Sequence, residues 1–334
     1  MSWKILATSS AFARTGESAA QRLTETGCKI LSASESDTAA PDALLNLLKG
    51  IDAVLAGNEK YTATILGHPQ AAQLKIISRW GVGFDAIDLS AAAENGIVVA
   101  NTPGLLDEAV ADYTFALLLV LARRVHEGHG AMCAGEWTQF WGNDVHGKIL
   151  GLIGCGRIGL AVAKRAKGFN LRVLAFDPSP GEEAKKLGVH FVPLDTLLAE
   201  SDFVSLHAAL TPQNRGLMNA GHFRKMKPGA RFINAARGAM VDEAALVCAL
   251  REGWIAGAAI DVFGTEPLPL DSLLRTAPNL LLSPHQSSYG RETGQRVSLA
   301  AAQAILDLMS GLRPQSVVNA DVLQSANLRA PIRI

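Results

Sequence analysis

Short apolar runs alternate with amphipathic stretches along most of the chain. The runs read as strands buried on both faces, and the longer stretches, with apolar residues three and four apart, read as helices. Up to about residue 100 the predicted strands are Lys4 to Ala7, Cys28 to Leu31, Ala53 to Ala56, Leu74 to Ser78 and Ile97 to Ala100, with helices at Glu17 to Thr26, Pro41 to Leu48 and Leu89 to Asn95. A very apolar helix follows at about Asp107 to Arg124, suited to a place between two domains, and residues 125 to 147 are mixed, without a clear period. Strands then recur at Ile149 to Ile153, Leu171 to Phe176, His190 to Val192, Asp202 to Leu206, Ala230 to Asn234, Ile255 to Asp261 and Leu280 to Ser283. Helices between them are expected up to about Lys167 and at Glu182 to Leu187, Leu194 to Ala199, Ala220 to Lys225 and Asp242 to Glu252. Such alternation implies parallel sheets covered by helices on both faces, an α/β protein. A last helix, Arg291 to Gly311, can pack back onto the first domain and make it discontinuous.

Lys148 to Asp177 is more specific than the rest. An apolar strand enters Gly154-Cys155-Gly156-Arg157-Ile158-Gly159, a helix follows, and a second strand ends on Asp177. In such a turn one glycine permits tight reversal, one lets a pyrophosphate approach the backbone, and one allows helix-on-strand packing. The helix opening at Arg157 and Ile158 offers unpaired N–H groups and a positive dipole end to phosphates. Asp177 stands where an acid accepts hydrogen bonds from a ribose hydroxyl pair, and its charge opposes a 2′-phosphate. NAD is therefore expected rather than NADP.

Several strands end in polar residues: Asp177, His207, Arg237, Asp261 and His285. Ligands of open α/β sheets bind beyond the carboxyl ends of the strands, so these groups are expected to share one cleft. With nicotinamide bound, the natural reaction is hydride transfer at a carbon bearing oxygen, which needs an acid/base, a cation to hold the substrate and a group to tune the acid. His285, Arg237 and Glu266 supply one of each. A histidine gives and takes a proton near neutrality, and a neighbouring carboxylate favours its charged form. An arginine fork pairs with a carboxylate through two hydrogen bonds, which points to a 2-keto or 2-hydroxy acid. His207 is the rival acid, placed nearer the cofactor. Arg79, followed by Gly81, Val82 and Gly83, is either an anion partner beside turned backbone N–H groups or a solvated turn residue.

Composition narrows the rest. The 31 basic and 31 acidic residues balance without a block of either sign, so neither nucleic acid nor an anionic membrane is an expected partner. Cys28, Cys133, Cys155 and Cys248 stand far apart, which fits a reducing cytoplasm better than a disulfide framework. The N-terminus lacks the apolar core of a signal peptide, and Ala109 to Ala122 is too short to span a bilayer and carries Asp112. His126 and His129 lie on one helix face, but Gly128 and the missing third ligand argue against a metal, and none is expected. Trp137, Phe140 and Trp141 either anchor a subunit interface or pack within the monomer.

The phrases SRWGVGFDAIDL, NTPG, GLIGCGRIG, NAARGAMVDEAAL, AAIDVFGTEP and SPH, in order from about residue 50 to 311, resemble the NAD-dependent D-isomer-specific 2-hydroxyacid dehydrogenases, especially the phosphoglycerate dehydrogenase-like branch. The resemblance implies a Rossmann cofactor domain, residues 101 to 289, inserted into a flavodoxin-like substrate domain formed by residues 1 to 100 and 290 to 334, and usually a homodimer. It matches Arg237, Glu266 and His285 to the family's catalytic arginine, glutamate and histidine. Val82 and Gly83 match the loop whose N–H groups take the substrate carboxylate, Asp261 a residue that holds the nicotinamide carboxamide, and Arg79 a phosphate-side arginine. Gln286-Ser287-Ser288-Tyr289-Gly290 departs from the family's usual continuation, and Ala56 to Lys60 lacks the arginine of phosphoglycerate-specific members. The chain's end at residue 334 implies no added regulatory domain. The leading substrate expectation is 3-phosphoglycerate, followed by glyoxylate and hydroxypyruvate. An NAD-sensing corepressor-like protein is the expectation of another class.

Overall fold

The computed structural model describes residues 2–38 and 40–332. The chain divides into two compact units, Met1–Leu106 with Tyr289–Ile334, and Asp107–Ser288.

The first unit is built on a parallel sheet of β1 (Lys4–Ala7), β2 (Lys29–Ser32), β3 (Ala53–Ala56), β4 (Ile76–Arg79) and β5 (Val98–Ala100), in the order β2-β1-β3-β4-β5. That is the flavodoxin-like doubly wound order. Parallel neighbours require crossovers, and the helices that make them cover the sheet faces, so the central strands are apolar throughout: β3 is buried at every residue. The helix Arg291–Met309 packs on this sheet. Ser78 Oγ donates to the Ala301 carbonyl at 2.8 Å, and Trp80 Nε1 donates to Ser298 Oγ at 2.9 Å. Gly294 belongs to the same contact, since a Cβ there would lie 2.7 Å from Thr15.

The second unit holds β6 (Ile149–Ile153), β7 (Arg172–Phe176), β8 (His190–Phe191), β9 (Phe203–Leu206), β10 (Arg231–Asn234), β11 (Gly257–Ile260) and β12 (Leu280–Leu282). Its order, β12-β11-β10-β9-β6-β7-β8, is the Rossmann arrangement with one added strand. Side chains alternate across this sheet. Val204, Phe232 and Ile260 enter one core layer, and Phe203, Ile233 and Ala259 enter the other. The winding reverses between β6 and β9, which pair with Ile153 opposite Leu206.

Most predicted elements agree with the observed ones to within two residues. The apolar helix, Asp107–Arg123, sends Ala111, Phe115, Leu118 and Ala122 into the core layer shared with β6 of its own unit, so its apolar character is accounted for there. Residues 125 to 147 are not wholly irregular, because Val125–Cys133 is a helix. Gly128 and Gly130 dilute its periodicity, and Arg124, in the left-handed region at φ 52°, separates it from the preceding helix.

Candidate active site

β6 ends in the glycine turn, where three glycines do three different things. Gly154 has φ +90°, and a Cβ on it would lie 2.5 Å from the Ala208 nitrogen. Gly159 would place a Cβ 2.4 Å from the Gly154 carbonyl oxygen, so its missing side chain lets helix Arg157–Ala166 sit down on the turn. Nothing lies within 4 Å of a Cβ built on Gly156, so this glycine leaves space rather than relieving a clash. Open backbone at a helix N-terminus is the cradle a pyrophosphate requires. The residues present therefore fit a dinucleotide.

Asp177 holds this turn from the end of β7. Its Oδ2 accepts from the Cys155 N–H at 2.7 Å and its Oδ1 from the Ser179 N–H at 2.8 Å. Each carboxylate oxygen keeps a second lone-pair direction for a ribose hydroxyl. The Cys155 thiol is pushed up to about 11 by burial and then by the charge of Asp177, which keeps it protonated and inert beside the phosphate cradle.

His207 follows β9, next to the glycine turn across the β6–β9 pairing. Part of the residue remains accessible, but the protein packed around the ring lowers its pKa from 6.5 to about 4. Ser205 Oγ lies 2.8 Å from Nε2, and Nδ1 is buried without a hydrogen-bond partner among the described residues. Burial thus disfavours the charged ring, which argues against His207 as the rival general acid.

The other histidine is positioned very differently. His285 has φ 48°, an uncommon conformation for a residue with a side chain, held because its N–H donates to the Asp261 carbonyl at 2.8 Å. Its Nδ1 lies 2.7 Å from Glu266 Oε2, and Glu266 Oε1 accepts from the Phe263 N–H at 2.9 Å. Burial would raise the Glu266 pKa. The hydrogen bond and charge of His285, the Phe263 N–H and the charge of Arg237 outweigh burial and hold the carboxyl below its ordinary value. Glu266 is thus an ionised acceptor, which favours Nδ1 of His285 as the donor of this contact.

Arg237 leaves β10 in an extended conformation and donates from Nη1 to the Ala236 carbonyl at 2.7 Å. Gly238 brings the strand ends together, because a Cβ on it would lie 2.0 Å from the Phe263 carbonyl carbon. The segment leading to Glu266 thereby passes directly over the Arg237–Gly238 turn. Asp261, which is completely buried, accepts from Ser283 Oγ at 2.6 Å, the Gln286 N–H at 3.0 Å and the Ser287 N–H at 2.9 Å. It therefore clamps both sides of His285.

A family model described as D-isomer specific 2-hydroxyacid dehydrogenase, NAD binding domain, matches residues 115–287. The chain belongs to the D-isomer specific 2-hydroxyacid dehydrogenase family. Among similar proteins, a glyoxylate reductase of Korarchaeum cryptofilum is 44% identical over 261 residues, covering 76% of this chain and 79% of that protein. A D-3-phosphoglycerate dehydrogenase of Archaeoglobus fulgidus is 42% identical over 252 residues, covering 75% of this chain and 48% of the longer relative. The crystal structure of the TT0316 protein of Thermus thermophilus superposes with a TM-score of 0.85 at 39% identity, covering 94% of this chain and 99% of that one. This dehydrogenase is an NAD-dependent oxidoreductase acting on the CH–OH group of its donor.

In the first unit of the dehydrogenase, the loop after β4 is braced from β5. The Gly81 N–H donates to Thr102 Oγ1 at 3.0 Å, and Asn101 Nδ2 donates to the Val82 carbonyl at 2.8 Å. Neither the Val82 nor the Gly83 N–H donates to a backbone carbonyl among the described residues. The Arg79 guanidinium is engaged locally, donating to the Asn58 Oδ1 and the Trp80 carbonyl. Glu59 organises the neighbouring loop through Thr8, the Gly57 N–H at 3.2 Å and the Tyr61 hydroxyl at 2.8 Å.

Sequence reasoning missed Ser283, Gly238 and Tyr113, whose hydroxyl accepts from Gln286 Nε2 at 2.8 Å. Gly238 had a signal, an arginine–glycine pair directly after a strand. Ser283 and Tyr113 had none, because their roles depend on partners 22 and 173 residues away. Among the described residues no cluster of three or more His, Cys, Asp or Glu is placed to hold a metal, and no helix is long and apolar enough to cross a membrane.

Proposed function

We propose that the chain reduces glyoxylate, or a similarly small unphosphorylated 2-keto acid, with NADH. The observation that carries this reading is the 2.7 Å contact between His285 Nδ1 and an ionised Glu266, with Arg237 close enough to influence that carboxylate. When bound, NADH supplies the hydride that arrives at substrate C2. His285 gives the proton from Nε2 to the substrate oxygen as the C=O bond becomes C–O–H, and Glu266 stabilises the charged imidazole beforehand. Arg237 pairs with the substrate carboxylate and polarises the adjacent carbonyl. The Val82 and Gly83 N–H groups are donors for the same class of anion. Asp177 is read as the ribose acceptor. His207, a neutral ring beside the glycine turn, and Asp261, carried by the resemblance, are read as neighbours of the nicotinamide end. In this scheme unit 1 is the substrate domain and unit 2 the cofactor domain.

Two observations favour glyoxylate over 3-phosphoglycerate, the first sequence expectation. Several relatives at 38–44% identity are named glyoxylate reductases. Arg79, the residue matched to a phosphate-side arginine, spends guanidinium donors on Asn58 and Trp80. A homodimer in the cytoplasm is part of the same proposal. Trp137 and Trp141 are 83% and 92% exposed, as residues awaiting a partner surface would be, and the four cysteines are free.

The test is NADH oxidation with glyoxylate, hydroxypyruvate and 3-phosphohydroxypyruvate side by side. The reading expects the highest kcat/KM with one of the first two, and a preference for the phosphorylated acid overturns it. Sedimentation velocity tests the dimer.

A further inference from the structure

The loop that follows β3 carries a carboxylate that the chemistry above does not use. Glu59 Oε1 accepts from the Gly57 N–H at 3.2 Å, from the Tyr61 hydroxyl at 2.8 Å and from the Thr8 hydroxyl. Tyr61 is completely buried, and burial, then the charge of Glu59, raise its pKa, so its hydroxyl stays a donor. Three donors therefore seat the carboxylate at the edge of the sheet. Gly57 makes room for it, because a Cβ there would lie 2.9 Å from Glu59 Oε2 and 3.3 Å from the Thr8 carbonyl oxygen. No ion pair neutralises Glu59 among the described residues. The segment lies directly beside the loop after β4: Ala56 pairs with Arg79, the Trp80 N–H donates to the Ala56 carbonyl at 3.0 Å, and Arg79 Nη2 donates to Asn58 Oδ1.

Arg79 is the cation of this edge, and its guanidinium is turned onto Asn58 and onto the carbonyls of Ala56, at 3.5 Å, and Trp80. Its charge and that of Glu59 act in opposite directions on the Tyr61 hydroxyl, so the two are near enough to offset one another. Lys60, the next residue, is exposed, where solvent and salt screen its charge. A substrate with one carboxylate places its charge on the Arg237 fork and the Val82 and Gly83 N–H groups. A second anionic group at its far end meets a seated carboxylate in the neighbouring loop, and like charges at short range oppose binding. Resting on the reading of unit 1 as the substrate domain, we infer that Glu59 is a specificity-determining residue that excludes 2-keto acids carrying a second negative charge, phosphorylated and dicarboxylic alike. Asn58 serves the same selection by holding Arg79.

Steady-state kinetics of the full chain at saturating NADH test this with two matched pairs of substrates. Hydroxypyruvate and 3-phosphohydroxypyruvate differ by a phosphoryl group, and 2-oxobutyrate and oxaloacetate differ by a carboxylate in place of a methyl group. The parent is expected to favour the singly charged member of each pair. Glu59→Gln keeps an acceptor oxygen for Thr8, Gly57 and Tyr61 and removes only the charge, so it raises the relative kcat/KM of the doubly charged member roughly ten- to a hundredfold, chiefly through KM. Glu59→Ala removes the charge together with the side chain and shifts both ratios in the same direction, so the test does not hang on one variant. Because each ratio is taken within one enzyme, a general loss of activity from a disturbed loop cancels. Ratios within twofold of the parent's in both variants, with a parent that favours the singly charged acids, overturn the role of Glu59 and leave the proposed function standing. A parent that favours the doubly charged acids overturns both.

Discussion

Replacing Glu266 by Gln removes one charge from the His285 pair and little else. The amide oxygen still accepts from Nδ1 in the 2.7 Å contact, and the Phe263 N–H still has an acceptor 2.9 Å away, so the loop should keep its shape. What is lost is the difference between a charge-assisted and a neutral hydrogen bond to an imidazolium. The carboxylate is about 28% exposed and held ionised, so the loss is expected near the usual range for charged hydrogen bonds, about 1.5–3 kcal/mol. If that difference is expressed in the step in which His285 donates its proton, kcat/KM for reduction falls roughly ten- to a hundredfold at neutral pH. The assay is NADH oxidation at neutral pH, with NADH binding measured separately by fluorescence to show an intact cofactor site. A variant within twofold of the parent would refute the reasoning that Glu266 acts through the charge of His285.

Three further outcomes are expected. His285→Ala should lower turnover by about 10²- to 10⁴-fold while NADH binding survives, as single-turnover absorbance and equilibrium titration would show. Packing around the His207 ring lowers its pKa to about 4 from the 6.5 of an ordinary histidine. The unfolded chain binds the extra proton between those values, so this contribution to stability is whole above pH 6.5 and declines toward pH 4 by up to about 3 kcal/mol. His207→Gln should flatten that part of a urea-melting profile, and an unchanged slope would count against the buried neutral ring. The glycines should separate by role: Gly156→Ala, with open space around its Cβ, should keep Tm close to that of the parent and weaken NADH binding about tenfold or more. Gly159→Ala, with its Cβ 2.4 Å from a carbonyl oxygen, should lose about 1–3 kcal/mol of stability, read by denaturant melting.

The α/β class, nearly every strand and the glycine turn were legible in the order of residues, because each rests on local rules. Period-two burial, helical spacing and the positive φ of a glycine are properties of a few consecutive residues. That Arg237, Glu266 and His285 come near one another was expected for a related reason, since parallel strands deliver the ends of successive segments to one edge of a sheet. Only the tertiary structure decided between the two histidines. His207 and His285 both follow strands and look alike in sequence, but one ring is enclosed without a charge partner and the other faces an ionised carboxylate. The same limit hid the Asp261 clamp and the commitment of Arg79 to its own loop. Each depends on atoms brought together from distant segments. Burial and electrostatics follow from what surrounds a group in space, and spacing along a chain carries no record of that.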